Sequence, residues 1–143
     1  MSPDLKPGIR HSFRTTVPDN KTVPNIYPEF AEFQDMPEVL ATGFLVALLE
    51  GTCQRAIKPY LDWPREQSLG THVNFSHLAA TPPGMTITVE CEVLAVDGRR
   101  VTFRARAHDG HDLISEGTHE RAIIDTARFA DKVERKRAAA AKG

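Results

Sequence analysis

Residues 37–60 read PEVLATGFLVALLEGTCQRAIKPY, and the density of apolar residues in that stretch decides the architecture. Pro37 suits the first turn of a helix, where its missing N–H is not needed. About twenty good helix formers follow before Pro59. Val39, Leu40, Phe44, Leu45, Val46, Leu48, Leu49 and Ile57 leave little polar surface on this helix. A helix that is apolar nearly all round must be buried on most sides rather than lie on a surface.

The cover for it follows in the chain. From Leu69 the hydrophobic period changes to two. Val73, Phe75 and His77 share one strand face, and His72, Asn74 and Ser76 share the other. Pro82, Pro83 and Gly84 end that strand. Ile87, Val89, Cys91 and Val93 then alternate with Thr86, Thr88, Glu90 and Glu92. Asp97-Gly98 is a hairpin signal. Val101, Phe103, Ala105 and Ala107 answer on the return, with Thr102, Arg104, Arg106 and His108 opposite. Carboxylates on one strand and arginines on the next suit cross-strand pairing on a solvated face. Residues 113–124 read as a last strand after the Asp109-Gly110 turn. Residues 126–141 read as an amphipathic helix that frays in the terminal AAAAKG, so 126–143 is a C-terminal helix and tail.

Upstream, residues 9–17 predict a first strand. Residues 18–36 are rich in Pro, Asn, Asp and Glu yet carry Ile26, Tyr27, Phe30 and Phe33. A long loop with aromatics inside a compact domain predicts a functional lid. The order is therefore strand, lid, one long apolar helix and four antiparallel strands. A single sheet wrapped around one central helix, an α+β arrangement of the hotdog type, buries that helix. One sheet layer cannot cover every side, so a homodimer that extends the sheet is expected.

Size and charge agree with one domain over 1–143: the chain has 143 residues and a formal net charge of -1. That balance gives no field favouring nucleic acid or an anionic membrane. No apolar run approaches the roughly 18 residues that span a bilayer. The opening MSPDLKPGIRHSF lacks the apolar stretch of a signal peptide. Cys53 and Cys91 lie far apart in sequence, and reduced thiols in the cytoplasm are the simplest expectation.

Three residues could carry chemistry. Glu50 is a carboxylate on an apolar helix, which costs desolvation unless it is paired or faces a cavity. Its plainer reading is a helix-edge residue reaching solvent. His77 sits on the strand face expected to look at the helix, where Glu50 could meet it; a hydrogen-bonded core histidine is the plainer reading. Thr42 is a cap or a small packing residue on its plainer reading. Thr42 and Glu50 are eight residues apart, a rise of about 12 Å on one helix. That is too far for a direct hydrogen bond, so either the partner subunit supplies one of them or Thr42 touches substrate. Either way the site is expected at a dimer interface.

Gly70 lets a backbone approach a ligand, or marks a bulge. Arg121 in GTHERAII binds an anionic group of a substrate, or forms an ordinary surface ion pair. His108 and His111 flank a turn without a convincing set of metal partners, so no metal is expected. Cys53 and Cys91 lie on apolar faces and read as inert. The run KVERKR reads as a solvated helix face. Neither GxGxxG nor a Walker A sequence occurs, so no phosphate-cradling glycine loop is present.

Taken together, KTVPNIYPEF, PEVLATGFLVALLE, SLGTHVNFSH, AATPPGMTITVE and GTHERAII resemble the fluoroacetyl-CoA thioesterase family of hotdog proteins, over residues 11–133. The resemblance implies hydrolysis of a short acyl-CoA to free acid and CoA, a self-protection reaction when the acyl group is fluoroacetyl. It implies Thr42 in ATGF, Glu50 in ALLE and His77 in FSH as catalytic residues. It puts the family's active-site glycine on Gly70 and its arginine on Arg121. Phe30 and Phe33 fall in the lid segment over the acyl pocket. Directly before Pro37, where the family pattern leads one to expect phenylalanine, this chain has Met36. A flexible thioether packs less specifically than a ring, so a broader short-chain acyl-CoA specificity is the alternative to selectivity for fluoroacetyl. A non-catalytic acyl-CoA-binding hotdog protein is the alternative of a different class. No metal or redox cofactor is implied; CoA is part of the substrate.

Overall fold

A computed structural model describes residues 1–143. Five strands, β1 (Arg10–Thr16), β2 (Glu66–Phe75), β3 (Thr86–Asp97), β4 (Arg100–His108) and β5 (Leu113–Asp125), form one antiparallel sheet in the order β1-β3-β4-β5-β2. The sheet curls around a single helix, α3 (Thr42–Ile57). Between β1 and α3 lie two short helices, α1 (Val23–Ile26) and α2 (Ala31–Gln34), and α4 (Thr126–Lys142) follows β5. This is the α+β hotdog arrangement.

The inner sheet face is the one that period-two reading selects. Ile87, Val89, Cys91 and Val93 on β3 and Val101, Phe103, Ala105 and Ala107 on β4 are buried. They meet Leu45, Leu49, Cys53, Ala56 and Ile57 of α3 in one core. On the outer face Glu92 pairs with Arg10 at 3.1 Å and with Arg104 at 2.9 Å. The β3–β4 hairpin closes through Gly98, whose φ of 60° is a conformation that glycine adopts without penalty.

Three expectations need correction. The helix does not begin at Pro37 but at Thr42. Residues 39–41 spend their backbone groups elsewhere: the Val39 carbonyl accepts from the Val23 N–H, the Leu40 N–H bonds Thr81, and the Ala41 N–H bonds Lys21. Those bonds tie both roots of the 18–36 segment to the body, and a helical start at Pro37 would break them. That segment is not a bare loop either, since it folds into α1, α2 and one short turn at Asp19–Lys21. Finally, α4 stays helical to Lys142 rather than fraying in the alanine run. Alanine has the best helix propensity of all residues, and Asp125 caps the start by accepting from the N–H groups of Ala127 and Arg128.

The central helix is also less covered than its composition demands. Leu45, Leu49, Thr52, Cys53, Ala56 and Ile57 are buried, but Thr42, Gly43 and Ala47 are exposed and Val46, Leu48 and Glu50 only half-buried. Thr42, Val46 and Glu50, spaced four apart, form one stripe along the helix. No helix of the chain is long and apolar enough to cross a membrane.

Candidate active site

The stripe of α3 carries two clusters, one at each end. At the N-terminal end the Thr42 hydroxyl lies 2.8 Å from Nδ1 of His77. His77 stands two residues past the end of β2, where the Ser76 and Leu78 N–H groups bond the carbonyls of Glu116 and Ile114. Those two bonds fix the backbone on either side of the imidazole.

Two turns further along, Glu50 meets Arg121. The Arg121 Nη1 donates to Glu50 Oε2 at 3.1 Å. The guanidinium is almost fully buried, and its other donors are committed inward. Nε donates to the Ser68 hydroxyl at 2.8 Å and Nη2 to the Ser68 carbonyl at 2.9 Å. A planar fork with these bonds has one orientation available, and that orientation aims Nη1 at Glu50. The Glu50 side chain remains 36% exposed, so the carboxylate is paired on one side and open on the other.

His119 completes this end. It is fully buried between Phe103 and Phe75. Its Nδ1 lies 2.7 Å from the His72 carbonyl, which can only accept, so Nδ1 carries the proton. Nε2 is then the acceptor for Arg121 Nη1 at 3.0 Å. Burial, reinforced by the Arg121 charge, lowers the pKa of His119, against the opposing pull of the His72 bond. His119 is thus a neutral prop for Arg121.

A β-bulge brings Gly70 to this cluster. Gly70 faces Arg121 in the β2–β5 ladder, and the register shifts before His72. The extra residue, Thr71, resets the alternation, so Gly70 shares the inner face with Val73 and Phe75. Strict alternation would have put it on the outer one. A Cβ at residue 70 would stand 2.7 Å from Glu50 Oε2 and 3.2 Å from His119 Cε1. Only glycine leaves the carboxylate its place.

Of the residues picked from sequence, the structure brings Thr42 to His77, and Glu50 to Arg121 and Gly70. It does not bring His77 to Glu50: the imidazole bonds Thr42, and the carboxylate bonds the arginine. Arg121 pairs with a carboxylate, but it does so as a buried residue pointing inward at Glu50, not in an ordinary surface ion pair. Phe30 and Met36 are exposed at 50% and 45%, and Phe33 is half-buried. The rings of Tyr27, Phe30 and Phe33 meet in series, tilted at 4.6 Å and edge-on at 5.4 Å between centroids. The 18–36 segment docks at the Thr42 end, where α1 places Ile26 over Gly43 so closely that a Cβ there would collide with it. His119 and Ser68 were not singled out in the sequence. His119 shares a strand face with Arg121 and Ile123, and that period of two was the available signal.

The architecture is that of the hotdog fold, which a 27% identical member of the thioesterase superfamily from Thermus thermophilus shares over 99% of both chains, with a TM-score of 0.86. A profile described as "FlK: Fluoroacetyl-CoA-specific thioesterase" matches residues 19–127. The fluoroacetyl-CoA thioesterase of Streptantibioticus cattleyicolor is 50% identical over 136 residues, covering 95% of this chain and 97% of the relative. Two solved structures of variants of the fluoroacetyl-CoA thioesterase FlK superpose closely, each at 50% identity over 92% of this chain and 98% of the other. One is a complex with fluoroacetate, with a TM-score of 0.88. The other is a complex with acetyl-CoA, with a TM-score of 0.89. The chain belongs to the fluoroacetyl-CoA-specific thioesterase family.

Two outcomes follow from this geometry. Gly70→Ala displaces the Glu50 carboxylate and lowers thioesterase kcat by at least about tenfold, roughly 1.4 kcal/mol of transition-state stabilisation. The thermal midpoint falls as well, because the displaced carboxylate is the countercharge of the buried Arg121. An unchanged kcat would show that the carboxylate position is unimportant. His119 makes stability fall on the acid side. Its folded pKa lies below the ordinary 6.5, so as pH drops through that value the unfolded chain takes up a proton that the folded chain refuses. Urea midpoints from pH 7 to pH 5 should fall less steeply in His119→Asn than in the unsubstituted protein, and equal slopes would remove this account.

Proposed function

We propose that the protein hydrolyses a short-chain acyl-CoA, with fluoroacetyl-CoA as the preferred substrate, to the free acid and CoA. The observation that carries the reading is the pair of clusters on one helix stripe. A hydroxyl–imidazole pair stands at one end, and at the other a carboxylate held by a buried arginine and left open toward solvent. The family membership and the fluoroacetate and acetyl-CoA complexes of FlK variants support the substrate class.

In this reading the thioester carbonyl lies between the two clusters. Glu50, held in place by Arg121, either attacks the carbonyl to give a mixed anhydride that water opens, or takes a proton from an attacking water. His77, oriented by Thr42, returns a proton to the departing CoA thiolate. Both routes consume one water and yield acid and thiol. Backbone N–H groups beside Gly70 are suited to hold the developing oxyanion. No metal or redox cofactor takes part.

The two clusters work together best across a homodimer. β2 is an edge strand of ten residues with Val73 and nearby Leu78 exposed at 44% and 57%. An unpaired edge of that length is a template for a second strand. A two-fold axis beside β2 and Val46 would set the helix stripes antiparallel and place Thr42 of each protomer opposite Glu50 of its partner. The same contact would cover the half-open side of α3. The two free buried cysteines support a reducing, cytoplasmic setting.

Met36 favours a second reading of specificity. It is a flexible, exposed side chain in the lid, where a ring would pack more selectively, and this supports wider acceptance of short acyl groups. Thiol release from fluoroacetyl-CoA and acetyl-CoA, with Glu50→Gln as control, tests both. The account expects turnover of fluoroacetyl-CoA to exceed that of acetyl-CoA, and both to fall by about two to four orders of magnitude in Glu50→Gln. Equal turnover of the two would leave a general short-chain thioesterase, and no thiol from either would refute the hydrolase reading.

A further inference from the structure

The flank of α3 that faces β1 carries a groove unused by the thioester chemistry. β1 is an edge strand, and its inner-face residues Phe13, Thr15 and Val17 form one wall. Phe44, Ala47, Leu48 and Gly51 of α3 form the other. Leu48 stands about 200° round the helix from Val46, so this flank lies opposite the stripe of Thr42, Val46 and Glu50. Two hollows run into one another there, because Ala47 and Leu48 line both. The larger, about 290 Å³, lies toward the N-terminal end of the helix and reaches down to Leu40 and Ile87. The smaller, about 170 Å³, has Phe13 and Arg55 in its walls.

Gly51 keeps the groove open. It sits inside a helix of 16 residues, where glycine is the poorest helix former after proline. Its φ is not positive, and a Cβ there would meet nothing within 4 Å. Neither backbone strain nor close packing therefore calls for glycine, and a larger side chain would stand in the groove. The charges point the same way. Arg55 lies at one end, its guanidinium 4.7 Å from the centre of the Phe13 ring. Lys21 lies at the other, its Nζ 4.9 Å from the centre of the Phe44 ring. Neither forms an ion pair in the chain. No acid lines either hollow. An apolar trough with unpaired cations at its ends is complementary to a chain-like anion.

We propose that this groove binds a medium-chain carboxylate, a single alkyl chain with one anionic head. The Arg55 guanidinium takes the carboxylate in a two-pronged hydrogen bond. The alkyl chain runs past Gly51 and Leu48 into the larger hollow, over the apolar surface of Val17, Phe44 and Ile87. From Phe44 to Arg55 the helix rises about 16 Å, and the ligand lies along that length. Removing the chain from water supplies the affinity, and the head fixes its direction. Lys21, its ammonium over Phe44, adds to the positive field. The site is separate from the catalytic stripe and does not rest on the acyl-CoA reading.

Calorimetric titration of the full chain with decanoate, kept below its micelle concentration, tests the assignment. Decyltrimethylammonium serves as a chain of similar length with the opposite charge. The expected Kd for decanoate is at least about tenfold below that for the ammonium amphiphile. Gly51→Trp fills the groove and Arg55→Glu reverses the charge at its end. Each should raise the decanoate Kd by at least about tenfold, while Arg55→Lys stays within about threefold. Arg55 is exposed, so Arg55→Glu is expected to keep the fold, and it decides the matter alone if thermal melting shows Gly51→Trp to be unfolded. Decanoate seated in the catalytic stripe instead would bind both variants with unchanged affinity, and that result overturns the assignment. Equal affinity for the two amphiphiles, or no binding of decanoate by the unsubstituted protein, overturns it as well.

Discussion

The buried Arg121 guanidinium is the interaction on which the site depends. A charge taken out of water costs several kcal/mol unless it is paired and hydrogen-bonded, and Arg121 is met on every side. The Ser68 hydroxyl and carbonyl fix its plane, the neutral His119 ring accepts one Nη1 proton, and Glu50 supplies the countercharge. His119 is itself held by the His72 carbonyl. The chain of constraint runs from the β2 backbone through a histidine and an arginine to the carboxylate on the central helix. Ser68, His119 and Arg121 are buried, and Glu50 carries the chain to the open side of the helix. A carboxylate fixed in this way needs no reorganisation when charge develops beside it.

That arrangement explains the bulge at Thr71. The β2 strand must place Ser68 and Gly70 against Arg121 and then bring Val73 and Phe75 to the same face, opposite His119 and Gly117 of β5. Even and odd residues cannot share a face in a regular strand, and one extra residue reconciles them. It also explains why the apolar helix is incompletely covered. The stripe of Thr42, Val46 and Glu50 faces the side on which the sheet ends, so the chain leaves open the surface that its chemistry needs.

Much of this was legible in the sequence. The period of two in β3 and β4 located the inner sheet face residue by residue, and the run from Phe44 to Leu49 announced a helix needing cover. The eight-residue spacing of Thr42 and Glu50 ruled out a direct contact, and the structure keeps them apart. What was not legible depends on long-range pairing. The start of α3 at Thr42 follows from backbone bonds to Lys21, Val23 and Thr81, which no local propensity reveals. The meeting of His77 with Thr42 rather than Glu50 depends on where β2 ends against β5. A bulge at Thr71 has no compositional mark beyond the glycine beside it. His119 is a different case: its alternation with Arg121 and Ile123 was available, and a polar pair on a buried face invited the question of what it holds.

In the proposed homodimer the Thr42–His77 cluster of one protomer acts with the Glu50–Arg121 cluster of its partner. Mixing two inactive proteins, Thr42→Ala and Glu50→Gln, under conditions that exchange subunits tests it most directly. If the site is shared, each mixed dimer has one site carrying both defects and one carrying neither, and thiol release returns on mixing. If each site belongs to one chain, every site in the mixture keeps a defect, no activity returns, and the account is contradicted.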